Sequence, residues 1–264
     1  MQGYSRIVVG SDGSLAARTA VVVGGRLAAG LGVPVTAVTV WKSELAVPGA
    51  RELAWARLTT TSSDIDLSDL GLHDVTMIEV EGDAAEALDD ISAEVPESLL
   101  VVGGAGLGSA ASRIAGSPSN QLSHKSSVDV LFVHADSDRL DSVLIATDGS
   151  DTSLIAVARG LWLAGAAGAS VELVTVAESV EAGEEILDRV DAALPTSGNG
   201  ATYRRRVLTG NPASALVDAG AEVDLLVIGN RGMSGMARVL GSTANTITHR
   251  ATTNLLLVNT TGRT

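Results

Sequence analysis

Short apolar runs alternate along the chain with longer stretches whose apolar positions recur every three or four residues, and the whole alternation occurs twice. In the first half the runs Arg6 to Gly10, Val33 to Val40, Val75 to Val80, Ser98 to Gly103 and Val128 to Val133 predict five strands. They are rich in Val, Ile and Leu with little polar alternation, as expected of strands buried on both faces. Between them, Leu15 to Gly30 predicts an alanine-rich helix ending at glycines, Ala84 to Glu94 a helix after the Gly82-Asp83 turn, and Ser117 to Ser126 a helix opened by a capping serine. Pro48, the Thr59 to Ser63 run and Asp64-Ile65-Asp66 break the pattern from Trp41 to Asp74, where one helix around Ala50 to Leu58 and then a loop are expected.

The second half repeats this plan with strands expected at Ser142 to Ala146, Ser170 to Val176, Tyr203 to Leu208, Asp224 to Gly229 and Asn254 to Val258, and helices in the matching gaps. Smaller motifs align as well: Gly82-Asp83-Ala84-Ala85 with Gly210-Asn211-Pro212-Ala213, and Gly116-Ser117-Pro118-Ser119-Asn120 with Gly241-Ser242-Thr243-Ala244-Asn245. Strands alternating with helices imply parallel βαβ units and a sheet covered on both faces. The expected fold is α/β: two tandem, doubly wound, Rossmann-like domains with five-stranded parallel sheets, 1–138 and 139–264. The boundary lies in the charged stretch from His134 to Asp141.

Composition narrows the function classes. The 264 residues divide into two halves of ordinary domain length. No apolar stretch approaches the roughly 18 residues of a membrane span, and Met1 to Arg6 leads into a strand instead of a signal-peptide apolar core, so a cytoplasmic protein is expected. The absence of cysteine removes disulfides, thiolate metal sites and cysteine nucleophiles. A net charge of −13 argues against a general role on nucleic acid. The excess is uneven: 1–138 holds 8 basic and 18 acidic residues, 139–264 holds 10 and 13, so an anionic ligand meets less repulsion in the second half.

Two glycine-centred motifs recur in the same order in both halves. The first strand ends in Gly10-Ser11-Asp12-Gly13-Ser14, and its counterpart in Ala146-Thr147-Asp148-Gly149-Ser150. The fourth strand ends in Gly103-Gly104-Ala105-Gly106, with nine residues before Gly116-Ser117; its counterpart is Gly229-Asn230-Arg231-Gly232, with eight before Gly241-Ser242. In an open parallel sheet, ligands bind beyond the carboxyl ends of the strands. Glycine there admits a phosphate to the backbone, and the amides of the following helix turn supply donors. Ser117 and Ser242 are expected both to cap their helices and to offer a hydroxyl to phosphate. Asp12 and Asp148 could bond a ribose hydroxyl, hold Mg²⁺, or cap the first helix.

These motifs resemble those of the universal stress proteins of the ATP-binding kind, here as a tandem spanning essentially the whole chain. The resemblance implies a Rossmann-like, adenine nucleotide α hydrolase-like fold in each half, with ATP or another adenine nucleotide, with Mg²⁺, at the strand ends. It assigns the aspartate position, which follows Gly10 in the first half, to Asp12 and Asp148, and the phosphate loops to Gly103, Gly106, Gly116 and Ser117, then Gly229, Gly232, Gly241 and Ser242. The second-strand residue whose backbone meets adenine matches Val40 and Val176. In the first loop Arg113 is the only basic side chain; the second carries Arg231 and Arg238 but is one residue shorter. Binding is expected in both domains and tighter in the second.

There is no G-x-x-x-x-G-K-[ST], and the only lysines are Lys42 and Lys125, so a phosphate-clamping P-loop lysine is excluded. At most weak ATPase activity is expected. His124 and His249 align as polar groups near helix carboxyl ends, Arg204-Arg205-Arg206 is expected as a solvated strand end, and Trp41, Trp55 and Trp162 as packing residues. The apolar last strands need cover, which the resemblance supplies by pairing of the two domains within the chain, with a homodimer as a further option. The leading expectation is a nucleotide-dependent regulator of stress or growth acting through an unidentified protein partner, without nucleic acid or membrane. The alternative is an interaction module of the same fold in which one or both sites do not bind nucleotide.

Overall fold

The computed structural model describes residues 3–41, 75–104, 117–134, 140–194, 202–230 and 240–260. The helix expected around 50–58 falls outside them. The chain forms two compact units, one of 2–122 and 126–138, the other of 139–264 together with 123–125.

In the first unit the strands are β1 (Arg6–Gly10), β2 (Val35–Trp41), β3 (Val75–Glu81), β4 (Ser98–Gly103) and β5 (Asp129–Val133), with helices α1 (Leu15–Leu31), α2 (Ala84–Ala93) and α3 (Pro118–Lys125). The second has β6 (Ser142–Ala146), β7 (Ser170–Ala177), β8 (Tyr203–Thr209), β9 (Leu225–Gly229) and β10 (Asn254–Val258), with α4 (Asp151–Ala167), α5 (Val180–Ala193), α6 (Pro212–Gly220) and α7 (Ser242–Arg250). The strands of the first unit lie in the order β3-β2-β1-β4-β5, and those of the second repeat it as β8-β7-β6-β9-β10. Every pairing within each unit is parallel. The order reverses direction beside β1 and β6, so the crevice expected of a doubly wound sheet opens between β1 and β4, and between β6 and β9.

The core is aliphatic: Ile7, Val8, Val9, Leu99, Leu100 and Val101 are buried in one unit, and Val143, Leu144, Ile145, Leu225, Leu226 and Val227 in the other. The first helix of each repeat lies close on its first strand, and a glycine permits this. A Cβ at Gly24 would lie 2.7 Å from Val9 Cγ2, and one at the equivalent Gly160 would lie 2.8 Å from Ile145 Cδ1. Both helices end at a left-handed glycine, Gly32 at φ 65° and Gly168 at φ 67°. After Gly32 the Val33 N–H donates back to the Ala28 carbonyl at 3.0 Å. That closure withdraws Val33 from the strand in which its apolar character suggests it belongs, and β2 starts after Pro34 at Val35.

Asp224, expected inside a strand, instead forms a clamp before β9. Its Oδ2 accepts from the Asp141 and Ser142 N–H groups and from the Ser142 hydroxyl, each at 2.9 Å. The Arg204-Arg205-Arg206 row is likewise more engaged than a solvated strand end. Arg205 pairs with Glu184, with Asp188 at 2.7 Å and with Asp191 at 3.0 Å, while Arg206 turns to Glu172 at 3.2 Å and Glu222 at 3.5 Å. Successive strand residues face opposite ways, so one arginine fastens β8 to α5 and the next joins β8 to β7. Among the described residues no helix is long and apolar enough to cross a membrane.

Candidate nucleotide site

The turn after β1 or β6 is built in the same way in each repeat. Asp12 Oδ1 accepts from the Ser14 N–H at 2.9 Å, and Asp148 Oδ1 accepts from the Ser150 N–H at 3.0 Å and the Ser150 hydroxyl at 2.5 Å. Between aspartate and serine stands a glycine with left-handed backbone, Gly13 at φ 77° and Gly149 at φ 74°. The helix cap is the serine: Ser14 Oγ accepts from the Ala17 N–H and Ser150 Oγ from the Ser153 N–H, both at 3.2 Å. The aspartates therefore do not cap, because an Asx turn places them two residues before the capping serines. That turn uses Oδ1 and leaves Oδ2 outside it. Asp12 is exposed and Asp148 half-buried.

The second wall comes from the fourth strand and the last helix. A Cβ on Gly103 would stand 3.0 Å from Ala16 Cβ and 3.2 Å from the Ala16 carbonyl carbon, so glycine is needed where β4 passes the first turn of α1. Ser117 caps α3 as expected, accepting from the Asn120 N–H at 3.3 Å. Ser242 does not cap α7. The cap position is Gly241, which has no side chain to bond the helix amides, and Ser242 is the first helical residue. This corrects the expectation that both serines play the same double part. Behind the second loop, Asn230 Oδ1 accepts from the Thr260 N–H at 3.0 Å and the Thr260 hydroxyl at 2.9 Å, fixing the loop's start to the end of β10.

Each repeat encloses a cavity between these walls. The first, about 250 Å³, is lined by Gly10, Asp12, Val40, Gly103 and Ser117. The second, about 400 Å³, is lined by Asp148, Val176, Gly229, Gly241 and Ser242. These are all of the expected binding residues that lie among the described residues. Gly106, Arg113 and Gly116, and Arg231, Gly232 and Arg238, lie outside them. The valines reach the site because β2 and β7 run past β1 and β6: Gly10 is level with Val38 and Ala146 with Val174, two residues short of Val40 and Val176.

Sequence reading missed several lining groups. Leu88 of α2 and Leu216 of α6 form an apolar wall in equivalent positions. Thr147 and Ser153 bond through their hydroxyls at 2.8 Å beneath the second aspartate turn. The leucines were detectable, since they align six residues after the equivalent Gly82 and Gly210. The Thr147–Ser153 contact depends on how the turn folds back on α4, which local sequence does not encode.

A third hollow, about 500 Å³, lies at the amino ends of β6, β7 and β8, bordered by Ser142, Ser170, Glu172, Tyr203 and Arg204. It is larger, yet it has no helix amino terminus and no glycine turn, and it lies at the sheet edge opposite to that where open α/β sheets bind ligands. Size alone is therefore a poor guide, and the two repeated cavities are the better candidates. No group of three or more His, Asp or Glu suited to a metal occurs among the described residues. The one carboxylate among the described lining residues of each cavity, Asp12 or Asp148, is the side chain that would hold Mg²⁺ brought in by phosphates, an ion that takes one or two protein carboxylates and keeps several waters.

His134, just after β5, packs against the start of the first loop: a Cβ on Gly104 would lie 2.5 Å from its ring. Burial pushes the imidazole down to about 4. The folded state thus disfavours the proton, and the unfolded chain takes it up near the ordinary value of about 6.5. Stability from this group is complete above pH 6.5 and falls as pH drops towards 4, by up to about 3 kcal/mol. Urea unfolding at pH 7 and pH 4.5 should show this loss in the wild type and a smaller one in His134→Asn, which copies the equivalent Asn259. Equal losses would show that His134 is not the source.

Comparison with known proteins identifies the family and the fold. A family model described as the universal stress protein family matches residues 3–134 and again 140–259. Universal stress protein Rv2005c of Mycobacterium tuberculosis is 26% identical over 278 residues, covering 93% of this chain and 94% of its own. A universal stress protein of Mycolicibacterium smegmatis is 29% identical over 189 residues, and the match spans 64% of each chain. Among solved structures, a universal stress protein from Archaeoglobus fulgidus aligns over 96% of both chains at TM-score 0.73 and 18% identity, a likeness of fold. A universal stress protein in complex with cAMP is 36% identical, covers 47% of this chain and 99% of its own, and has a TM-score of 0.38.

Proposed function

The chain belongs to the universal stress protein family, and from that premise we propose that it binds an adenine nucleotide, with ATP the expected form, in each of two domains, 1–138 and 139–264. The observation that carries this reading is the repeated cavity at the carboxyl edge of the sheet. In each domain an Asp-Gly-Ser turn, a second-strand valine and the amino end of the last helix converge on one space. Each wall matches one part of a nucleotide: the apolar Val176, Leu216 and Ile228 suit a base, Asp148 Oδ2 a ribose hydroxyl, and the α7 amides a phosphate.

The same set of groups favours holding over turnover. Neither cavity places a lysine or a histidine among its described lining residues, and each has a single carboxylate. Were Mg²⁺ to accompany the phosphates, Asp12 or Asp148 would be the side chain to hold it in place of the ribose hydroxyl, and the metal would supply charge neutralisation, with no base among the described lining residues to activate water. We therefore read the protein as a cytoplasmic regulator whose nucleotide occupancy is sensed by a protein partner in stress or growth control. Titration with ATP and Mg²⁺ by calorimetry, paired with an ADP-release assay, tests it. Saturable binding with negligible turnover is expected; no heat at millimolar ATP would refute the reading.

A further inference from the structure

The two cavities differ at equivalent positions that bear on phosphate. Resting on the nucleotide-binding reading above, we propose that the second cavity is the polyphosphate site, and that the first takes an adenine nucleoside or monophosphate and is nearly indifferent to further phosphates. The two helix ends differ in the N–H donors they leave open. At the start of α3 the first helical residue is Pro118, which has no N–H, and the Asn120 N–H is already given to Ser117 Oγ at 3.3 Å. Ser119 is the only first-turn residue there whose N–H is uncommitted to a cap. Its hydroxyl donates to the Gly103 carbonyl at 2.8 Å, drawing the helix end and the strand end together.

At the start of α7 no group among the described residues takes up the Ser242, Thr243 or Ala244 N–H. Gly241 makes no side-chain cap, and Ser242, Thr243 and Ala244 present three N–H groups together with two hydroxyls, where the first domain has Ser117, Pro118 and Ser119. A helix end without an internal acceptor keeps its amides open to water or to an anion, and the helix dipole favours the anion.

Three further differences point the same way. The first cavity, about 250 Å³, falls below the roughly 300–1,000 Å³ usual for small-molecule pockets, whereas the second, about 400 Å³, falls within it. The helix lining the first opens with Asp83, and its counterpart opens with the neutral Asn211. Finally, the first half carries the larger acidic excess, which repels a triphosphate more than a nucleoside.

The experiment compares adenosine, AMP and ATP in the full-length protein. Asp148→Ala is used to read the first cavity and Asp12→Ala to read the second, each alone and combined with an exchange of the helix residue, Pro118→Thr or Thr243→Pro. Pro118 is the first helical residue of α3 and Thr243 the second of α7; an N–H within the first turn has no intrahelical partner, so proline there removes no helix bond, and each ATP-to-adenosine ratio is internal to one variant, so partial loss of folding does not imitate the result. The second cavity should prefer ATP over adenosine by at least about tenfold, the worth of one charge-assisted bond, and Thr243→Pro should remove most of that preference. The first should show ratios within about threefold, rising with Pro118→Thr. Equal ATP preference in both cavities, or exchanges that leave the ratios unchanged, would overturn the inference while leaving nucleotide binding intact. Failure of both cavities to bind any of the three would overturn the nucleotide reading itself.

Discussion

Asp148→Ala is expected to weaken ATP binding in the second domain by about 10- to 100-fold, the range of one or two hydrogen bonds to a charged group. The substitution removes the Oδ2 that lies outside the turn and also the Oδ1 that accepts the Ser150 N–H and hydroxyl. Loss of turn geometry and loss of ligand contact must therefore be separated. Asp148→Asn does so, because its side-chain oxygen can keep the turn while the carboxylate charge disappears. If the ligand is read by charge, Asn should lose affinity nearly as Ala does; if the turn matters most, Asn should bind almost as the wild type. Calorimetry on both variants, with urea unfolding to check the turn's contribution to stability, distinguishes the cases. Unchanged affinity in Asp148→Ala would show that this aspartate does not contact the ligand.

Gly103→Val should have the second large effect, confined to the first domain. Its Cβ would meet Ala16 Cβ at 3.0 Å and the Ala16 carbonyl carbon and oxygen at 3.2 and 3.3 Å. Those backbone atoms sit in the first turn of α1 and cannot rotate aside as the end of a side chain can. The strand end and the helix must separate, at a cost of about 1–3 kcal/mol for overpacking. That separation opens the wall that holds Asp12 and Ser117 across the same space. Ligand binding in the first cavity should be lost while the second cavity keeps its affinity, and the unfolding midpoint in urea should fall. Retained stability would show that α1 shifts freely at this point.

Much of the fold was legible because its signals are local and repeated. Continuous apolar runs marked the strands to within a residue or two, and the helix expected from Leu15 to Gly30 does end at a glycine, Gly32, as its counterpart ends at Gly168. The parallel pairing followed from the alternation, whereas the order of the strands within each sheet did not. What escaped were choices between neighbouring hydrogen-bond acceptors. Asp12 and Ser14 are both good caps by type, and only the left-handed Gly13 between them decides that the serine caps and the aspartate turns. Gly241 takes the cap position because α7 begins at Ser242, where local sequence favours a serine cap. Arg205 looked solvated because its partners Glu184, Asp188 and Asp191 belong to another element, α5, whose placement is tertiary. The site followed the same rule. Its motif residues were found by repetition, while the Leu88 and Leu216 walls arise from helices that reach the cavity only once the sheet is assembled.

The central claim is one of place: in each repeat, nucleotide binds at the carboxyl edge of the sheet. Backbone amide spectra of the labelled protein, recorded as ATP and then AMP are added, test it most directly. The account predicts shifts at Ala146 to Ser153 and Gly241 to Ala244, at Gly10 to Ala17 and Ser117 to Asn120, with none around Ser142, Ser170 and Tyr203. Shifts gathered at that opposite edge, or none at either, would contradict it.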